Sequence, residues 1–133
     1  MRHALIFLTL TLAAGATGAS EPMTPEEFGE YATGYTLYFE RDGEPWGSEH
    51  FDPDGSVTWR FPSGTCVEGV WRPYEDQVCF YYGQDDEVLC WSMSREGDGL
   101  VGVLDSGEEA GLRLEITGRD RRPLICGEGG SEL

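Results

Sequence analysis

Residues 77–93, QVCFYYGQDDEVLCWSM, hold two alternating runs on either side of a polar turn. Val78, Phe80 and Tyr82 share one face of the first run, with Cys79 and Tyr81 on the other. Leu89, Trp91 and Met93 share a face of the second, opposite Val88, Cys90 and Ser92. A period of two, rich in aromatic and β-branched residues and bounded by turn formers, marks half-buried strands. With Gln84-Asp85 as a two-residue loop, residue numbers paired across the hairpin sum to 169, so Cys79 and Cys90 lie directly opposite each other. They share the face turned away from Phe80 and Trp91. A bridge there requires Cβ atoms within about 3.5–4.5 Å.

The cysteine count supports such a bridge. The chain has four cysteines, Cys66, Cys79, Cys90 and Cys126, separated by 12, 10 and 35 residues. No pair has the close C-x2-C spacing of a zinc site, and an even number in an exported chain reads as disulfides. Pairing Cys79 with Cys90 leaves Cys66 for Cys126, which staples the C-terminal segment to the sheet. The rival pairing, Cys66 with Cys79 and Cys90 with Cys126, stays open because residues 66 and 79 are also symmetric about Arg72-Pro73.

The same grammar extends outward. Runs at 35–40, 46–51, 56–61, 66–71, 100–104 and 112–116 alternate in the same way. Asp42-Gly43, Asp52-Pro53-Asp54-Gly55, Pro62-Ser63-Gly64 and Asp105-Ser106-Gly107 punctuate them. The chain is therefore mainly β: about eight antiparallel strands in a meander, closed as a barrel or, alternatively, packed as a sandwich. The expected inward set is Leu37, Phe39, Val57, Trp59, Phe61, Trp71, Val78, Phe80, Tyr82, Leu89, Trp91, Met93, Leu112, Leu114 and Ile116. One short N-terminal helix is expected over 24–33. Thr24 is its N-cap, Pro25 opens it, Glu27 completes a capping box and Gly34 ends it. Residues 118–133 read as an extended C-terminal tail held by Cys126.

Residues 1–19 read as a signal peptide. Arg2 and His3 precede the apolar run ALIFLTLTLAA, which is too short to span a bilayer, and small residues follow up to Ala19. Residues 20–133 then form a single β domain, placed in the periplasm or secreted. The chain carries 25 acidic and 9 basic residues, all nine of them Arg, for a net charge of −16. Nucleic acid and anionic membranes are repelled by such a surface, whereas a basic protein or a divalent cation is attracted. No segment beyond the first 19 residues is apolar enough for a membrane span.

Chemistry-bearing motifs are sparse. Asp52-Pro53-Asp54-Gly55 opens like a calcium loop, but Ser63 stands where the twelfth-position Glu belongs, so it reads as a hairpin turn. Asp85-Asp86-Glu87 is an acidic turn. Glu49-His50 beside Trp46 is the one arrangement that suggests acid–base work in a small hydrolase. No catalytic residue, metal site or cofactor is expected from the rest. The residues singled out for ligand or partner binding are Tyr38 and Tyr81, on the outer face, with Trp46 and His50.

Gly69-Val70-Trp71, followed by Cys79-Phe80 and Leu89-Cys90-Trp91, resembles small exported β-barrel proteins of Gram-negative bacteria, mostly of unknown function. The G-x-W string is also similar to that of lipocalins and of the barrel-shaped metalloprotease inhibitors of bacterial periplasms, here in the fourth strand rather than near the first. The cross-linked, acidic scaffold without a catalytic constellation suggests a non-enzymatic binding module, an inhibitor or accessory protein of a basic partner; the alternatives are a lipocalin-like carrier of a small ligand and a small hydrolase. The resemblance carries over no catalytic residue.

Overall fold

A computed structural model describes residues 20–83 and 87–127. The segment read as a signal peptide and the acidic residues Asp85 and Asp86 lie outside the described residues. So does the end of the chain beyond residue 127.

A short strand β1 (Glu21–Met23) precedes helix α1 (Pro25–Ala32). Eight strands follow: β2 (Thr36–Arg41), β3 (Glu44–Phe51), β4 (Ser56–Arg60), β5 (Cys66–Tyr74), β6 (Gln77–Tyr82), β7 (Val88–Glu96), β8 (Gly99–Leu104) and β9 (Arg113–Asp120). Each pairs antiparallel with the next, and β9 returns to pair with β2. The meander thus closes as an eight-stranded barrel, and the sandwich alternative does not occur. Cys79 pairs with Cys90 and Val78 with Trp91, the register that the sum of 169 describes.

Three features depart from the sequence reading. The added strand β1 continues the β6 side of β7, setting Met23 against Met93 where β6 has ended. β5 runs through Arg72-Pro73 to Tyr74, and the chain turns at Glu75, whose φ is 54°. The last strand continues to Asp120, pairing Gly118, Arg119 and Asp120 with Tyr38, Leu37 and Thr36. The free tail therefore starts at residue 121 rather than at 118.

Helix α1 forms where its capping signals stand. Thr24 accepts from the Glu27 amide and Glu27 reaches back to the Thr24 amide. Two turns of helix are marginal alone. This helix holds because Phe28 and Ala32 are fully buried against one end of the barrel. Phe28 meets Phe51 and Trp71 edge-to-face at 5.5 and 5.8 Å. With Leu37, Val57 and Val78 these rings make an apolar plug in the buried core.

The tail runs outside the barrel from this plugged end to the opposite one. Arg122 O accepts from Thr36 Oγ1, Ile125 O from Arg60 Nε, and Gly127 N donates to Gly64 O. Cys126 closes on Cys66, and Cys79 on Cys90 with Cα atoms 4.0 Å apart. The rival pairing is absent. Both bridges lie on the barrel's outer side, leaving the interior to the aromatic set.

Candidate functional site

The interior is hollow above the plug. A cavity of about 640 Å³ runs from Phe28 to the far end of the barrel, where the β4–β5 and β8–β9 connections contribute Phe61 and Glu109. Most of the expected inward set faces it: Phe39, Trp59, Phe80, Tyr82, Leu89, Trp91, Met93 and Leu114 line its wall. Leu112 also lines it; Leu37, Val57, Trp71, Val78 and Ile116 lie outside that lining, mostly in the plug and the packed core. Phe61, expected inward, stands at the mouth and is 43% exposed, beside Val67 at 37%.

The hollow follows from where the glycines sit. A Cβ on Gly47 would lie 2.2 Å from the Trp59 ring, and one on Gly69 would lie 2.7 Å from the Tyr82 ring. Each ring packs against bare backbone, within the wall rather than across the lumen. Trp59 is held there edge-to-face by Phe39 at 5.2 Å and by Phe61 at 6.2 Å, and Tyr82 is stacked on Phe80. Gly102 makes similar room for Trp91 and Met93. Rings that could fill an eight-stranded barrel line it instead.

Below the acidic rim, one polar pair interrupts this apolar wall among the described residues. Glu49 of β3 is 2% exposed and points inward, where Tyr82 Oη donates to its Oε2. Among the described residues, Tyr82 is the carboxyl's one hydrogen-bond partner. Burial pushes the Glu49 pKa up to about 8 against the pull of that hydrogen bond. Burial, and then the neighbouring carboxyl, pushes the Tyr82 phenol well above its ordinary range. At neutral pH the pair is therefore two uncharged groups that can each donate a proton to a hydrogen bond. Both lie at the cavity wall.

The residues singled out from the sequence fare differently. Trp46 lines the cavity near its mouth, with the Arg41 guanidinium 5.1 Å from its ring centroid. It is the extra residue of a bulge, since Phe39 pairs with Gly47 and Glu40 with Pro45. His50 is on the outer face. Thr36 Oγ1 gives its single proton to Arg122 O, so His50 Nδ1 donates to Thr36 over 2.9 Å, and Nε2 lies 3.4 Å from Asp52. Glu49 and His50 therefore face opposite sides of β3, and the acid–base arrangement suggested by their adjacency does not form. Tyr38 Oη donates to Asp120, a bond that ties β2 to β9 beneath the tail. Tyr81 stays on the outer surface at 40% exposure. The Asp52–Gly55 string is a hairpin turn, with Asp54 accepting from the Ser56 amide and Gly55 at φ 90°.

Glu49 and Tyr82 are the pair the sequence reading did not join. Tyr82 was placed inward, but the bulge at Trp46 breaks the alternation that would have placed Glu49 on the same face. Once Gly47 rather than Trp46 is given the inward phase, the carboxylate at the next inward position stands out. Among the described residues no helix is long and apolar enough to cross a membrane. No family model, curated protein or solved structure matches this chain.

Proposed function

We propose that this chain is an exported, non-enzymatic binding protein that holds one small, largely apolar molecule inside its barrel. The carrying observation is the cavity of about 640 Å³, plugged by Phe28 at one end, open at the other and walled by aromatic side chains. That volume lies within the range of roughly 300–1,000 Å³ typical of small-molecule sites, which are mostly apolar with a few placed polar groups. Glu49 and Tyr82 are those polar groups. The two disulfides favour an oxidising compartment, periplasmic or extracellular, in line with the N-terminal apolar segment. The antiparallel meander and the open cup support the lipocalin-like reading over a role resting on the outer surface, where Tyr38 is already committed to Asp120.

The test is titration with the uncharged dye N-phenyl-1-naphthylamine, followed by its emission. One saturable site is expected, and Leu89→Trp, which fills the lumen from the wall, is expected to abolish it while far-ultraviolet circular dichroism stays unchanged. No enhancement with the natural sequence, or equal enhancement with the filled variant, refutes the reading.

A further inference from the structure

The charge inside the cup is one-sided. Among the described residues three charged ones line the cavity, Glu49, Glu68 and Glu109, and all are acidic, with Glu68 in the outward phase of β5 beside Val67. Among the described residues none of the arginines lines it. Arg41 touches a lining residue, resting on the Trp46 ring. His50, next in sequence to Glu49, is on the outer face, bonded to Thr36. Tyr82 is the one other titratable group on the wall, and it donates to Glu49. The same cavity is lined by Trp46, Trp59 and Trp91 with Phe39 and Phe80. Aromatic faces attract cations, most of all when water is excluded. Among the described residues a ligand carboxylate would meet a buried acid and an acidic rim but no counter-charge, whereas an ammonium group would find that acid at depth and further acids at the mouth.

We propose that the molecule held in the cup is an organic amine, an apolar body bearing one ammonium group that pairs with the Glu49 carboxylate. The inference rests on the carrier reading above and names its ligand class. Because burial holds a proton on Glu49 up to about pH 8, the ammonium must displace it. The bound state pairs R–NH3+ with the Glu49 carboxylate, and the displaced proton leaves to solvent. Tyr82 keeps its hydrogen bond to the carboxylate throughout. Glu68 and Glu109, exposed at the rim, raise the local concentration of cations on the way in.

The test is isothermal titration calorimetry with three molecules of one apolar body: octylamine, 1-octanol and octanoate. Octylamine is expected to bind at least about tenfold more tightly than 1-octanol, the gain of a hydrogen bond to a charged partner, with octanoate weaker than both. At pH 7 close to one proton per ligand is released, read from titrations in two buffers of different ionisation enthalpy. Between pH 7 and pH 5 the octylamine affinity falls about a hundredfold as protons compete for the carboxylate. Glu49→Gln brings octylamine down to the level of 1-octanol and leaves 1-octanol unchanged. Tyr82→Phe, which keeps the carboxyl, retains the preference for the amine. Equal binding of octylamine and 1-octanol by the natural sequence, a preference that survives Glu49→Gln, or tighter binding of octanoate overturns the amine assignment alone. Failure of all three molecules to bind overturns the carrier reading with it.

Discussion

Glu49→Gln is expected to stabilise this protein, and by an amount that depends on pH in a known direction. The Glu49 pKa rises from the ordinary 4.5 to about 8 on folding, because the carboxylate form is costly in a cavity wall with one hydrogen-bond donor. A folded pKa above the unfolded one means that the folded state holds the proton more tightly. Stability is therefore whole below pH 4.5, declines as pH rises from there to about 8, and is flat beyond. At about 1.4 kcal/mol per pH unit, the full decline is about 5 kcal/mol, of which about 3 kcal/mol is already lost at pH 7. That is a large share of the roughly 5–15 kcal/mol available to a domain of this size. Glutamine keeps the shape and can accept from Tyr82 but has no proton to lose. Urea denaturation of both proteins at intervals between pH 4 and pH 9 measures the effect. The two stabilities are expected to lie close together at pH 4 and to diverge upward, the variant being more stable by about 5 kcal/mol at pH 9. General repulsion among the surface acids acts on both proteins and cancels in the difference. Parallel profiles across that range would refute the buried, proton-holding carboxyl.

Gly47→Ala removes the recess that holds Trp59 and forces the indole toward the lumen. A loss of roughly 1–3 kcal/mol is expected, with a blue-shifted or quenched tryptophan emission marking the moved ring. Phe28→Ala opens the plugged end and is expected to cost about 3–5 kcal/mol by denaturant titration, since the ring is fully buried between Phe51 and Trp71. The bridges are expected to rank by the loop each closes. The double change Cys66→Ser, Cys126→Ser, across a separation of 60, costs about 4 kcal/mol, and Cys79→Ser, Cys90→Ser, across 11, costs about 3 kcal/mol, both read by thermal melting.

Much of the architecture stands in local signals. The alternation in the two runs before residue 83 and after residue 87 sets the strand type, and the symmetry of Cys79 and Cys90 sets their register. The capping box at Thr24 and Glu27 sets the start of the helix. What local patterns lack is information about distant partners. β1 is three residues long and includes Pro22, so it shows no period of its own. It is a strand because Met23 finds a buried place beside Met93. The run through Gly118 to Asp120 looks like tail until β2 is laid beside it. The hollow interior is the largest omission, and its cause is physical. Composition shows that aromatics are plentiful, but whether a ring crosses the lumen or lies in the wall depends on the neighbouring strand. Gly69, directly across from Tyr82, and Gly47, diagonal to Trp59, decide that for the two rings. Trp46 was singled out and does reach the cavity, whereas His50, Tyr38 and Tyr81 are on the outside, where strand alternation places them.

The closed ring of strands has a consequence for life in a crowded compartment. Every strand of the barrel proper has a partner on both sides, so its backbone offers no template along which a second molecule could add. The exception is β1, whose outer side is unpaired among the described residues, and it is three residues long with a proline in the middle. A vessel lined with aromatic rings can thus accumulate without its copies zipping together strand to strand.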